Sequence, residues 1–325
     1  MLRVKAASLP FFFIFFSMSA TKPHKEYSSL VDILLSRNMI IEDPIYAARK
    51  LSQVGYYRLS GFWFTSRKIE TIIHDGNQKT QFIDEFLPNT KFEDIYKLYL
   101  FDKKLRLLLL DIIERLEINI RSIIAHELGR IDPLAYEKEI FLNLASEKVR
   151  KSYYDIWLPK LEKEIKSNRS EFILYHRNQN KKIPFWVIIE IWDFGMLSKY
   201  YSFLKGSYKQ KIAKKFNVDS NKFGKWLHEI NILRNLCAHH SRIWNKDFNA
   251  IILPPNQDIE INEKTAQRVF GRILVLWYLV KQTESKNYKW LEKFSALVKQ
   301  DFPTVPNAKL EFMGLKDHKQ LSLIF

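Results

Sequence analysis

From Lys91 to Gly129, Leu105, Leu109, Ile112, Leu116, Ile120 and Ile123 recur at helical spacing, which commits one face of a long helix to a core. An element of that length, broken at most once, has to be the central packing element of whatever the chain folds into. Nine glycines and eleven prolines are few for an all-β protein of 325 residues, and 46% hydrophobic residues suffice for a substantial core. The expected fold class is therefore all-α.

Further helices are expected over 27–38, 44–54, 145–167, 219–237, 262–283 and 288–300. The second opens at Asp43-Pro44, where aspartate can cap and proline fits the first turn. A very apolar, buried helix starts at Pro184 and runs through Phe194 toward Ser198. Residues 64–90 lose the helical period, and Asp75-Gly76-Asn77 marks a small hairpin or an irregular loop. Residues 168–182 read as a polar connection. In this division 1–20 stand apart, 21–304 form one large helical domain, and 305–325 form a tail.

Fifty-two basic against thirty-six acidic residues leave a formal net charge of +16, a field that attracts polyanions, with nucleic acid the leading partner and a membrane surface the rival. The lysine-rich segment with Lys209, Lys211, Lys214 and Lys215 is a candidate RNA contact, as is Arg58 within an aromatic set that includes Tyr56, Tyr57, Phe62 and Trp63. Core packing is the plainer reading of those aromatics. The single cysteine, Cys237, rules out an intramolecular disulfide and fits a reducing compartment. Residues 1–20, MLRVKAASLPFFFIFFSMSA, look like a signal peptide or short anchor, but Pro10 interrupts an apolar run too short to span a bilayer. Met18 offers a second start, with the preceding residues an upstream extension. A cytoplasmic protein is expected on that reading, and a membrane-associated one if 1–20 are translated and retained.

The window Trp226 to Asn245, WLHEINILRNLCAHHSRIWN, concentrates the chemistry. Arg234 and His239 form an R-x4-H pair, with Asn235 and His240 beside them. A guanidinium grips a phosphate through two charge-assisted hydrogen bonds, and an imidazole moves protons near neutral pH. Arg121 and His126 repeat the spacing, and sixteen arginines and eight histidines would yield roughly 0.4 such pairs by chance, so spacing alone is weak. Direction separates the two. Arg234 falls on the stripe of Phe223, Leu227, Ile230 and Cys237, where a charge needs a carboxylate partner or a cleft that admits an anion. Arg121 projects away from the Leu105–Ile123 stripe, one turn after Glu117, as an exposed ion pair would. An i, i+5 separation turns about 140° on a regular helix, so the helix has to bend or end near Ala238 for Arg234 and His239 to share one phosphate. Zinc held by Cys237, His239 and His240 matches no common spacing. No metal or cofactor is expected.

Several blocks together, in this order, resemble the Abi-like (AbiD/AbiF-type) abortive-infection family, whose members resemble HEPN-fold ribonucleases. They are Gly55-Tyr-Tyr-Arg-Leu-Ser-Gly-Phe-Trp63, Leu105 to Arg115, Pro184-Phe-Trp186 followed by Phe194 to Ser198, Arg234-Asn-Leu-Cys-Ala-His-His240, and Met313-Gly314. The resemblance spans the chain from about Lys22 onward. It implies an all-helical HEPN-like bundle with additional helices and a bacterial antiphage or toxin-antitoxin role. Arg234-Asn235 through His239 match the HEPN pattern of arginine, polar residue, spacer and histidine, whereas Ser122 departs from the preference for asparagine after the arginine. Such sites are often composite, which implies a homodimer if Arg121 and His126 take no part. The expected activity is metal-independent endoribonucleolysis with RNA as substrate; the alternatives are a non-catalytic RNA-binding defence factor, for which a noncoding RNA would be the regulator, and a membrane-associated abortive-infection effector using residues 1–20.

Overall fold

The computed structural model describes residues 21–74, 77–255, 263–283, 289–317 and 321. Helices α1 (Tyr27–Ser36) and α2 (Pro44–Val54) pack together, and Asp43 caps α2 as expected, accepting the Tyr46 N–H at 2.9 Å. Gly55, at φ +91°, turns the chain directly into α3 (Tyr56–Trp63), a conformation that glycine adopts without a Cβ penalty. The hairpin follows. Strands β1 (Arg67–His74) and β2 (Asn77–Phe86) pair antiparallel with Ile69 opposite Phe82 and His74 opposite Asn77, and the register shifts between Arg67 and Ile69. Asp75 and Gly76 of the expected turn lie outside the described residues.

Helix α4 (Phe92–Gly129) runs unbroken. Its expected stripe is buried from Leu105 to Ile120, but burial is not confined to that stripe. Ile113, Ile124, Leu128 and the charged Asp102, Arg106, Glu117 and Glu127 are buried as well. The cause is crowding, because six other helices contact α4.

The expected helix over 145–167 is α5 (Glu147–Lys151) continued through a π-helical turn, Ser152–Trp157, into α6 (Leu158–Ser167). Two expectations change. The polar connection contains α7 (Glu171–Asn178), anchored by buried Ile173. The apolar run after Pro184 is not one helix: α8 (Phe185–Ile188) passes through a 3-10 turn, Ile189–Ile191, and breaks at Trp192-Asp193 before α9 (Phe194–Phe203). The break has a local cause, since the Asp193 carboxylate accepts the Met196 N–H at 2.7 Å and so caps a new helix. The chain continues with α10 (Gly206–Lys214), α11 (Ser220–Ala238), α12 (Glu263–Ala266), α13 (Val269–Thr283) and α14 (Lys289–Asp301). The helices that contact α4 are α3, α8, α10, α11, α13 and α14.

Residues expected as a tail are packed in. Ser66 Oγ donates to the Pro306 carbonyl at 2.6 Å, Asn307 Nδ2 to the Thr65 carbonyl at 2.9 Å, and Met313 and Leu315 are buried. The architecture is helical with one small hairpin, as expected. Among the described residues no helix is long and apolar enough to cross a membrane, and residues 1–20 lie outside them.

Candidate functional site

Helix α11 ends near Ala238, where the R-x4-H spacing placed a bend or an end. Ala238 is its last residue; the His239 N–H donates to the Asn235 carbonyl (2.9 Å), the His240 N–H to Cys237 (3.1 Å) and the Ser241 N–H to Leu236 (2.9 Å). This double closure, with His240 left-handed at φ +58°, is a Schellman turn built on histidine where glycine is usual. Both histidine side chains are exposed on it. A left-handed β-carbon costs about 1 kcal/mol, so His240→Gly is expected to raise stability by that amount in urea unfolding. A loss of stability instead would mean that the imidazole itself holds the turn.

A buried ionic cluster supports the turn from below. Asp102, fully buried on α4, pairs with Arg106, and its Oδ1 accepts the N–H groups of Ile243 (3.0 Å) and Trp244 (2.9 Å). Arg106 reaches the Ser241 carbonyl at 3.5 Å. From α3, Arg58 Nη1 donates to the His240 carbonyl at 2.7 Å and so helps to shape the turn, while the side chain stays exposed. A Cβ on Gly61 would lie 3.1 Å from Arg242 Nη1, which explains the small residue there. The α3 aromatics follow the plainer reading: Phe62 meets Tyr99 edge-on, and Trp63 meets Tyr56 and Phe86, while Tyr57 stays exposed.

Beside this turn a cleft of about 430 Å³ opens between α4 and α11, lined by Ile113, Glu114, Glu117 and Arg121 from one helix and Arg234 and Ala238 from the other. The structure here departs from the exposed ion pair expected at Arg121. The Glu117–Arg121 pair forms, but its side chains are only 10% and 15% exposed, and Arg121 also donates to the Trp192 carbonyl, with Glu190 at 4.0 Å. The break at Trp192-Asp193 presents that carbonyl, so the segment covering the second face of α4 turns Arg121 into the cleft. The two arginines of the two R-x4-H pairs therefore line one cleft.

Arg234 is half-buried there, and among the described residues neither a hydrogen bond nor an ion pair engages its guanidinium. Of the two outcomes expected for a charge on that face, a carboxylate partner or an open cleft, the cleft is realised. Burial pushes the Glu117 carboxyl above its usual range, against the pull of Arg121 and Arg234. Burial also acts on Asp193, but Lys160, the Met196 N–H and the Arg234 charge outweigh it and hold that carboxyl low.

The remaining expected residues scatter. His126, His239 and His240 are exposed and none of them lines the cleft: five residues of helix carry His126 about 140° around α4 from Arg121, and His239 by the same angle around α11 from Arg234, so His239 stands at the turn beside the cleft. Asn235 is exposed, its carbonyl closing the turn. Lys209 donates to the Ser202 carbonyl at 2.7 Å, Lys215 lies 3.4 Å from Glu127, and Lys211 and Lys214 are exposed on α10. Cys237 points into the core, where burial pushes its thiol up to about 12, away from exposed His239 and His240, so the three do not converge on a metal. Sequence reasoning missed Asp102 and Arg106, and treated Glu117 only as a salt-bridge partner. A carboxylate next to Phe101 in the apolar run LYLFDKKLRLLLL was the available signal for Asp102.

Two guanidiniums from different helices, a carboxyl between them and imidazoles at the adjoining turn can hold a phosphodiester and move protons around it. Among known proteins, a family model described as "Abi-like protein" matches residues 49–245, more than half of the chain. No curated protein and no solved structure gives a significant match.

Proposed function

The chain belongs to the Abi-like protein family, and on that basis we propose that it serves in abortive infection, as an antiphage endoribonuclease. The observation that carries the nuclease reading is Arg234, a half-buried cation that acts on Glu117 and Asp193 through its charge but makes no hydrogen bond or ion pair among the described residues, in a cleft that also holds Arg121. Leaving such a charge unpaired is costly unless an anion takes its place, and a backbone phosphate of RNA supplies one. The net charge of +16 draws that polyanion in.

In the proposed reaction the ribose 2′-oxygen attacks the adjacent phosphorus, the 5′-oxygen leaves, and a 2′,3′-cyclic phosphate remains. Arg234 and Arg121 stabilise the charge gathering on the phosphoryl oxygens. His239, on the exposed turn after Ala238, moves one of the two protons. The nucleophile is the substrate's own hydroxyl, so DNA is not a substrate.

The test uses purified protein and an oligodeoxynucleotide carrying one ribonucleotide. Cleavage is expected immediately 3′ of the ribose, in the presence of EDTA, with a cyclic phosphate end identified by mass spectrometry. Cutting of an all-deoxy strand, or activity abolished by EDTA and restored by a divalent metal, would remove this mechanism.

A further inference from the structure

Two protons have to move in this reaction, and His239 accounts for one of them. We propose that Glu117 is the second proton carrier. This inference rests on the ribonuclease reading above and extends it.

Glu117 is an unusual salt-bridge partner. It is buried on the face of α4 that turns toward α11, and it lines the same cleft as Arg121 and Arg234. Its pair with Arg121 sets the carboxyl beside the guanidinium that would grip the phosphate, and so within reach of the sugar attached to that phosphate. The charges around it come from three elements: Glu114 and Arg121 on its own helix, Arg234 on α11, and Glu190 and Asp193 on the segment that closes over them. Burial shifts its carboxyl upward toward neutrality, which makes the ionised form a stronger base than a solvated glutamate.

The step balances. The Glu117 carboxylate takes the proton of the 2′-hydroxyl as the O2′–P bond forms; the P–O5′ bond breaks, and His239 in its protonated form gives its proton to O5′. Glu117 ends protonated and His239 neutral, and exchange with water resets both.

Glu117→Gln keeps the shape and removes the base. It is expected to lower kcat about 100-fold, to bind RNA as tightly as wild type when measured by fluorescence anisotropy in a His239→Ala background, and to lose the acidic limb of the kcat/KM profile. Glu117→Asp, which keeps a carboxyl, is expected to restore part of the rate and to retain that limb at a shifted pH. It also serves if the glutamine variant does not fold. Wild-type kcat in Glu117→Gln or an unaltered acidic limb would each overturn the proposal. If wild type and Arg234→Ala cut RNA equally slowly, the ribonuclease reading fails instead.

Discussion

A protein carrying His239→Ala is expected to fold as the wild type does and to cut RNA at least about 10²-fold more slowly; Arg234→Ala is expected to lose about 10²- to 10³-fold in kcat, with weaker RNA binding besides. The combination of a large loss in activity with a small change in stability follows from how these two side chains are held. The His239 imidazole is exposed on the turn, and among the described residues no hydrogen bond or ion pair engages Arg234. Removing His239 leaves the melting temperature near the wild-type value, as for surface substitutions, and removing Arg234 costs its attraction to Glu117 and Asp193 but no hydrogen bond. Arg121→Ala is the informative contrast, because it strips Glu117 of its partner and leaves the Trp192 carbonyl without its donor. That variant loses stability and activity together. In cells, induced expression of the His239 and Arg234 variants is expected to spare growth and RNA integrity at undiminished protein level. Undiminished RNA cleavage by purified, folded His239→Ala would take the proton-transfer role away from this histidine, and would leave RNA binding as its only candidate task.

Asp102→Ala is expected to have the largest effect on stability, about 3–5 kcal/mol. One fully buried carboxylate balances Arg106 and receives the N–H groups of Ile243 and Trp244, so its loss strands one buried cation and two donors at once. The effect should reach the site as well, because those donors lie directly after the turn that displays His239 and His240. Urea unfolding measures the first consequence, and amide hydrogen exchange at residues 239–244 the second. Replacing Asp102 and Arg106 together by apolar residues of similar volume should recover much of the loss, since an absent pair leaves no orphaned charge. A destabilisation below about 1 kcal/mol for the single variant would show that water reaches Arg106 and that the cluster does not hold the turn.

These outcomes separate what was legible in the sequence from what was not. The cap at Asp43, the extent of α4, the hairpin and the end of α11 at Ala238 were readable, because each depends on residues within a turn or two of one another. The break at Asp193 was missed although its cause is local: an apolar run long enough for one helix concealed an aspartate able to start a second. Arg234 was identified from its place on an apolar stripe, and the same reasoning misplaced Arg121, whose side of α4 has no comparable stripe in the sequence.

By itself, then, the sequence determined most of the helical segments and that Arg234 lies on an apolar stripe, and it required the helix to bend or end near Ala238 if Arg234 and His239 are to share one phosphate. Helical periodicity is local and reports the best-defined apolar face of each element. Only the tertiary structure decided that α4 is enclosed on further faces, that Trp192 draws Arg121 inward, and that Arg121 and Glu117 meet Arg234 across one cleft. The physical reason is that those contacts join residues far apart in the chain. They depend on which helix covers which, a choice that the packing of the whole core makes and that no single repeat encodes.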